Sequence, residues 1–272
     1  MRYPTITFIG AGNMASSLIA GLIADGYPND RIWATNRSQE KLQTLQQRFN
    51  VHVSQDNEQG AAQAEIVVLA VKPQDAALAL TNLAVIIQKN KPLLISIMMG
   101  ITICTINQNL GFKATVIRCM PNTPALVGCG ATALYASDTV SSEQKEIAEA
   151  ILRAVGLTVW LKEERLLNVV TALSGSGPAY FFLMMEALQE AAIKLGLQAN
   201  EARLLTLQTA LGAARLAIES PLSLSALRAQ VTSKGGTTER GLEVLKEGHW
   251  QELLFQALQA AYSRAEELSV DK

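Results

Sequence analysis

Residues 6–24 read ITFIGAGNMASSLIAGLIA: a short apolar run, a glycine-rich turn and a longer helix-like segment. In the G-x-G-x-x-A turn, the first glycine permits a tight bend and the second lets the backbone approach a pyrophosphate. The small residue Ala15 lets helix and strand pack. Because the turn follows a strand and opens a helix, an anion there would meet free N–H groups at the positive end of a helix dipole. This predicts a dinucleotide site that includes Gly10, Ala11, Gly12, Asn13 and Met14.

The first half of the chain alternates between two textures. Near-continuous apolar runs, each bounded by turn residues, predict strands at 6–10, 32–35, 66–71, 93–97 and 115–120. Amphipathic stretches between them predict helices at 14–24, 39–49 and 74–87. Apolar strands separated by helices are typical of a parallel sheet covered on both faces. Two further runs, 131–136 and 157–161, are expected as edge strands around a helix at 141–155.

The second half is helical in character. Helix-forming residues dominate 166–195, 200–219 and 250–268, with a break at Ser174-Gly175-Ser176-Gly177-Pro178. We therefore predict an α/β fold: an N-terminal Rossmann domain with a doubly wound, mostly parallel sheet, followed by an all-α domain. The predicted domains are residues 1–162 and 163–272. The stretches 166–195 and 250–268 are too apolar around their circumference for helices with one face in water, which predicts a homo-oligomer, at least a dimer.

Composition excludes several partner classes. The net charge of -1 comes without a basic tract, which argues against nucleic acid. We expect no membrane association, because no apolar stretch approaches the roughly 20 residues that span a bilayer. The N-terminus enters a β-like run at once, without a secretory leader. Three cysteines without metal-site spacing are interpreted as reduced, mostly buried thiols. We predict a cytoplasmic protein without a metal site.

The end of the second strand indicates which dinucleotide binds. Sites that prefer NAD place Asp or Glu there to accept from the ribose 2′-OH. Here the strand ends Thr35-Asn36-Arg37-Ser38, and no carboxylate occurs until Glu40. Arg37 offers a planar, charged fork to a 2′-phosphate, and Asn36 and Ser38 add uncharged donors. The pattern favours NADPH, with NADH possible; alternatively, Ser38 only caps the next helix and Arg37 is solvated.

Two more turns are expected at the same edge of the sheet. Val71-Lys72-Pro73 is predicted to contact the cofactor, with Lys72 beside a phosphate or ribose rather than acting as a general acid; a solvated lysine is the alternative. The stiff loop 120–124 contains Asn122, a candidate wall of the nicotinamide pocket that spacing alone does not separate from a plain turn.

The helical half contains a turn that suits a small anion. Val231-Thr232-Ser233-Lys234-Gly235-Gly236-Thr237-Thr238 precedes a predicted helix at 239–247 and presents several N–H donors. Because no strand precedes it, a substrate carboxylate is a better candidate than a dinucleotide. The break at 174–178 allows another backbone or a ligand to approach closely; a simple helix kink is the alternative.

These segments together resemble the pyrroline-5-carboxylate reductase family, nearly from end to end. The matching stretches are 8–14, 70–73, 118–128, 173–180 and 227–245. The resemblance implies a Rossmann domain followed by a helical dimerisation domain, NADPH-dependent reduction of pyrroline-5-carboxylate to proline, and active sites where the helical part meets the cofactor. It also implies that Asn57 contacts the adenosine half of the cofactor and that Met99 lies near the nicotinamide.

The resemblance further assigns the substrate to the turn before residue 239. It implies that Ser233, Gly235, Gly236, Thr237 and Thr238 bind the carboxylate, largely through N–H groups, and that the catalytic Thr238 hydroxyl contacts the ring nitrogen. The chain departs from the family pattern at Lys234, where proline is usual, and at Met98-Met99, where small residues are usual.

Two other functions are compatible with parts of the sequence. A β-hydroxyacid dehydrogenase also joins a Rossmann domain to helices. By resemblance, that class uses a lysine on the helix after its glycine-rich segment, and no lysine occurs here between the break and Lys194. An NADPH-sensing protein without turnover would not need the turn at 233–238.

Overall fold

The computed structural model describes residues 3–269, which form two compact units: residues 3–176 with 261–269, and residues 177–260. The first unit contains one sheet. Its strands are β1 (Ile6–Ile9), β2 (Ile32–Thr35), β3 (His52–Ser54), β4 (Ile66–Leu69), β5 (Leu93–Ser96), β6 (Val116–Met120), β7 (Gly130–Ala136) and β8 (Gly156–Trp160). Their order is β3-β2-β1-β4-β5-β6-β7-β8.

The sheet is parallel from β3 through β6, β7 is antiparallel to β6, and β8 is parallel to β7. This confirms the predicted doubly wound, mostly parallel sheet. The prediction of two added edge strands was half wrong, because only β8 lies at the edge and β7 is interior. The strand order reverses between β1 and β4, where ligands bind in such sheets.

Helices cover both faces of this sheet. They are α1 (Asn13–Ala24), α2 (Gln39–Phe49), α3 (Asn57–Ala62), α4 (Ala76–Asn90), α5 (Ile103–Leu110), α6 (Ser142–Arg153) and α7 (Leu166–Val170). The core forms two clusters because side chains alternate along each strand. On β1, Ile6 and Phe8 belong to one cluster and Ile9 to the other, and all three are fully buried.

Three short elements of this unit were not predicted. The strand β3 has only three residues, and none of its side chains is fully buried. It therefore has no apolar run by which the sequence could indicate it. The helices α3 and α5 are also short, yet both carry a cap that the sequence displays: Asp56 accepts from Glu58 N and Gln59 N, and Thr102 accepts from Thr105 N.

The break predicted at 174–178 overlaps a π-helical turn, Thr171–Gly175, and the next helix begins at Gly177. A Cβ on Gly175 would lie 2.6 Å from Met120 Cε, so the missing side chain makes room for the end of β6. The Ser174 carbonyl also accepts a hydrogen bond from Asn122 Nδ2 at 3.0 Å. The close approach predicted for this segment is therefore made by a loop of the same unit.

The second unit consists of helices: α8 (Gly177–Lys194), α9 (Ala199–Glu219), α10 (Leu224–Gln230), α11 (Thr237–Glu247) and most of α12 (Trp250–Ser269). The short helix α10 was not predicted. The helices α8 and α9 pack against each other, but large apolar side chains remain exposed on several helices. Phe181, Phe182 and Leu183 are 61%, 64% and 65% exposed.

The stretch Leu166–Lys194 corrects one expectation from composition. It is helical over 29 residues with a mean hydropathy of 1.3 in its most apolar window, of which only 17% is buried. By length and composition it meets the criterion for crossing a membrane, so the statement that no stretch approaches that length was wrong. One such helix is weak evidence for a span, since apolar helices that pack against protein meet the same test.

The cysteine prediction also needs correction. Cys119 is buried on β6, but Cys104 and Cys129 are exposed. Burial raises the pKa of the Cys119 thiol well above its usual range.

A partly buried ion pair joins three segments of the first unit. Arg118 of β6 is buried, and its Nη1 lies 2.9 Å from Oε1 of Glu164, just before α7. The same carboxylate oxygen accepts a hydrogen bond from Ile103 N at the start of α5. Glu164 therefore neutralises a buried guanidinium and holds the loop after β5.

We predict that Glu164→Gln lowers the free energy of unfolding by about 1–3 kcal/mol, because it leaves the Arg118 charge buried without a counter-charge. The neighbouring residue supplies a matched control. Glu163 pairs with Arg165, but both side chains are more than half exposed, so Glu163→Gln should change stability by less than about 0.5 kcal/mol. Urea denaturation of both variants measures the difference, and equal losses would contradict the assignment.

Candidate functional site

The glycine turn after β1 is shaped by its neighbours. Gly10 has a φ of 91°, and a Cβ there would lie 2.8 Å from both Val71 N and Val71 Cγ1. Gly10 N and Ala11 N both donate to the Thr35 carbonyl, at 3.1 and 2.8 Å. The turn is thus held against the ends of β2 and β4, and only glycine fits at its first position.

The second glycine faces open space. A Cβ on Gly12 would meet no atom within 4 Å. Gly12 is also the N-cap of α1, and no side chain caps this helix. The N–H groups of the first turn are therefore available to an anion. Ala15 is buried, as close packing of helix and strand requires. The cradle fits a pyrophosphate.

A pocket of about 460 Å³ opens beside this turn, at the carboxyl ends of β1, β2 and β4. Of the predicted cofactor residues, the pocket is lined by Gly10, Gly12, Asn36, Arg37, Ser38, Asn57, Val71 and Lys72. Ala11, Asn13, Met14 and Pro73 are adjacent to these in the chain but do not line the pocket. Met99 and Asn122 do not line it either.

Of the polar residues after β2, some make hydrogen bonds that shape the turn and one is available to bind a ligand. Asn36 Nδ2 donates to the Ala11 carbonyl at 2.9 Å, and Asn36 Oδ1 accepts from Ser38 N at 2.9 Å. Ser38 Oγ caps α2 by accepting from Lys41 N. The Arg37 side chain, by contrast, is 84% exposed, and its Nη2 lies 2.8 Å from Asp75 Oδ2. Arg37 is therefore the group here that can reorient toward a ligand.

Five residues of the lining were missed by sequence reasoning: Lys41, Asp75, Leu78, Ala79 and Asn82. Lys41 lies on the first turn of α2, three residues after the Ser38 cap, and this spacing could have indicated it. The other four lie on the 3-10 turn Pro73–Asp75 or on α4. With Arg37 and Lys72, Lys41 gives the pocket three cationic side chains, which suit a phosphorylated ligand.

Asn57 and Asn122 make defined contacts inside the protein. Asn57 Oδ1 accepts from Thr35 Oγ1 at 2.6 Å, which fixes its amide at the pocket wall. Asn122 is buried; its Oδ1 accepts from Ala131 N at 2.8 Å, and its Nδ2 donates to Ser174. The Asn122 side chain therefore holds its own loop in place, and a contact with the nicotinamide stays a prediction.

The loop before α11 is a second candidate site, in the helical unit. Gly235 has a φ of 72°, and Gly236 is the N-cap of α11 without any side-chain cap. Gly235 N donates to Glu239 Oε2 at 2.6 Å, so this loop already binds a carboxylate. Among residues 3–269, the Thr238 hydroxyl has no hydrogen-bond partner, and this exposed side chain does not cap the helix.

The described part of the chain contains no cluster of side chains that could bind a metal ion. Within residues 3–269, no three His, Cys, Asp or Glu side chains are grouped so that they could hold an ion.

Comparison with known proteins places this geometry in a family. Residues 164–268 match the model for pyrroline-5-carboxylate reductase dimerisation, and residues 5–100 match that for NADP oxidoreductase, coenzyme F420-dependent. A pyrroline-5-carboxylate reductase of Pseudomonas aeruginosa is 45% identical over 269 residues, covering 99% of this chain and 98% of the relative.

Solved structures agree over the whole chain. The pyrroline-5-carboxylate reductase of Coxiella burnetii has a TM-score of 0.95 at 50% identity and covers 99% of this chain and 100% of its own. The Plasmodium falciparum pyrroline carboxylate reductase, solved with NADP bound, has a TM-score of 0.88 at 28% identity, with 99% of each chain covered. With end-to-end identity at this level and the glycine turn, cationic pocket and anion loop all present, the chain belongs to the pyrroline-5-carboxylate reductase family.

Proposed function

We propose that this protein reduces 1-pyrroline-5-carboxylate to L-proline with NADPH. One observation carries the proposal: this protein, a member of the family, has two different candidate anion sites. One is the glycine turn with its three-cation pocket, which suits a phosphorylated dinucleotide. The other is the loop before α11, whose Gly235 N–H donates to a carboxylate of the protein itself, that of Glu239.

The protein's contribution to the reaction is orientation and electrostatics. NADPH supplies the hydride, as nicotinamide cofactors do. Gly12 and the first turn of α1 hold the pyrophosphate, while Arg37 and Lys41 hold the 2′-phosphate. These contacts fix the dinucleotide in one register along the carboxyl edge of the sheet.

The substrate needs no strong acid from the protein. A cyclic imine is protonated near neutral pH, and the iminium carbon then accepts hydride directly. The protein must hold the carboxylate and keep the electrophilic carbon within about 3–3.5 Å of the donor. The turn from Ser233 to Thr238 performs the first task, with the Thr237 N–H and the Gly235 N–H as donors. The Gly235 N–H donates to the protein's own Glu239 carboxylate, which the substrate carboxylate would replace, whereas the Gly236 N–H donates to the Ser233 carbonyl. The Thr238 hydroxyl, free of internal partners, contacts the ring nitrogen.

We also propose a role for each domain and a cellular location for the protein. Residues 1–162 bind the cofactor, and residues 163–272 bind substrate and form a homodimer. The exposed apolar side chains of α8 support an interface that water does not reach. The same interface accounts for the apolar character of 166–194 without a membrane. The three free thiols suit the cytoplasm.

A spectrophotometric assay tests the function directly. NADPH oxidation at 340 nm should follow addition of pyrroline-5-carboxylate, and NADH should be the poorer donor. Turnover of a hydroxyacid pair instead would favour the dehydrogenase alternative. NADPH binding without turnover of either substrate would favour a sensor.

Arg37→Ala should raise the KM for NADPH at least tenfold and leave NADH nearly unchanged, because losing a charge-assisted contact to the 2′-phosphate costs about 1.5–3 kcal/mol. Arg48→Ala is the matched control: Arg48 lies on the last turn of α2, over the Phe49 ring, and outside the pocket. Steady-state kinetics with both cofactors measure the effect. Equal losses with NADPH and NADH would refute the assignment.

Thr238→Ala should lower kcat/KM for the imine roughly ten- to a hundredfold, or about 1.4–2.7 kcal/mol. The hydroxyl aligns the ring nitrogen, a contact that tightens as the nitrogen becomes an amine. Thr238→Ser keeps the hydroxyl and should retain most activity.

The NADPH dissociation constant and the melting temperature serve as controls for Thr238. Both should stay near wild type, since the structure shows Gly236, not Thr238, at the N-cap of α11. Unchanged turnover together with a lower melting temperature would make Thr238 a structural residue only.

The protein should sediment as a dimer or larger at micromolar concentration, above its chain mass of 29.3 kDa. Phe182→Glu should weaken that assembly, because it places a charge in an apolar interface. Val85→Glu is the control: Val85 is 79% exposed on α4, in the sheet-containing unit. A monomeric wild type would refute the proposed interface.

A further inference from the structure

The cofactor pocket contains one carboxylate among its cations. Arg37, Lys41 and Lys72 line it together with Asp75. A carboxylate is unfavourable beside a phosphate dianion, because two like charges repel at short range. The position of Asp75 therefore needs a reason.

Asp75 occupies the N-cap position of α4, where aspartate normally accepts hydrogen bonds from the first helical N–H groups. Here it makes no such bond. Its N–H donates to the Lys72 carbonyl at 2.9 Å, which closes the 3-10 turn after β4. Its carboxylate instead reaches Arg37 Nη2 at 2.8 Å, and it is the less exposed partner, 31% against 84%.

The ion pair engages the arginine that a 2′-phosphate requires. To bind NADPH, Arg37 must exchange the Asp75 carboxylate for the phosphate, and Asp75 is left beside the new negative charge. A dinucleotide with a free 2′-OH imposes no such exchange and brings no second negative charge beside Asp75.

We propose that Asp75 is a specificity-determining residue that lowers the affinity for a 2′-phosphate by holding Arg37, and so reduces the preference for NADPH over NADH. This inference rests on the proposed function, because it assumes that the pocket binds the adenosine half of the cofactor.

Calorimetric titration with two cofactor fragments isolates the effect without any turnover. Adenosine 2′,5′-bisphosphate carries the 2′-phosphate and AMP lacks it. Asp75→Asn, which keeps the shape of the side chain, should lower the dissociation constant of the bisphosphate roughly three- to tenfold. The dissociation constant of AMP should change by less than about twofold. Intact NADPH should follow the bisphosphate, and NADH should follow AMP.

A second pair of variants tests the route through the arginine. In an Arg37→Ala background, Asp75→Asn should recover less than about half of that gain, because no ion pair remains to be released. Glu143→Gln, an exposed carboxylate in the first turn of α6, controls for net charge and should change neither constant. Melting temperatures confirm that each variant is folded.

The inference and the proposed function fail in different ways. An unchanged bisphosphate constant in Asp75→Asn would overturn the inference even if the reductase assay succeeds, as would an equal gain in the Arg37→Ala background. A protein that binds the bisphosphate more tightly after Asp75→Asn but does not reduce the imine would keep the inference and lose the proposed reaction.

Discussion

The Thr35 carbonyl, at the end of β2, is the acceptor on which the cofactor site depends. It takes hydrogen bonds from Gly10 N and Ala11 N and so fixes the glycine turn in the one conformation that points the start of α1 at the ligand. The turn can come this close because Gly10 has no Cβ to strike Val71. The same residue binds Asn57 through its hydroxyl. Thr35 thus ties the turn after β1 and the start of α3 to the end of β2, and the pocket opens beside them.

Around that frame, rigid and movable groups have different tasks. Asn36 uses both ends of its amide inside the protein and keeps the turn after β2 in shape. Arg37 is largely exposed and held only by an ion pair, and such surface pairs are weak. A 2′-phosphate can therefore draw Arg37 away at a modest cost, whereas moving Asn36 would break two hydrogen bonds that shape the turn. The same contrast appears before α11, where the N–H groups of Gly235 and Gly236 are hydrogen-bonded and the Thr238 hydroxyl has no partner among residues 3–269.

Sequence reasoning recovered the parts of this architecture that follow from local pattern. The glycine turn, the apolar strands and the helices at 14–24 and 39–49 were predicted within a few residues, because periodicity and turn chemistry are local properties. Sequence reasoning failed where an element was too short to show a periodic pattern, or where a residue's contact lay far away in the chain. The strand β3 has three half-exposed residues and no apolar run. Asp75 falls inside the helix predicted at 74–87, and only its contact with Arg37, 38 residues away, gives it another role.

The sequence by itself determined the fold class, the family and the positions of the two glycine-containing turns, since these are encoded in contiguous stretches whose spacing has one good structural solution. The tertiary structure decided which side chains share a pocket. Lys41, Asp75 and Asn82 line the pocket because α2 and α4 begin near the strand ends. Asn122 is hydrogen-bonded to Ser174 because β6 ends beside the π-helical turn. Such outcomes depend on how separate elements pack, and packing is a property of the whole three-dimensional arrangement rather than of any one segment.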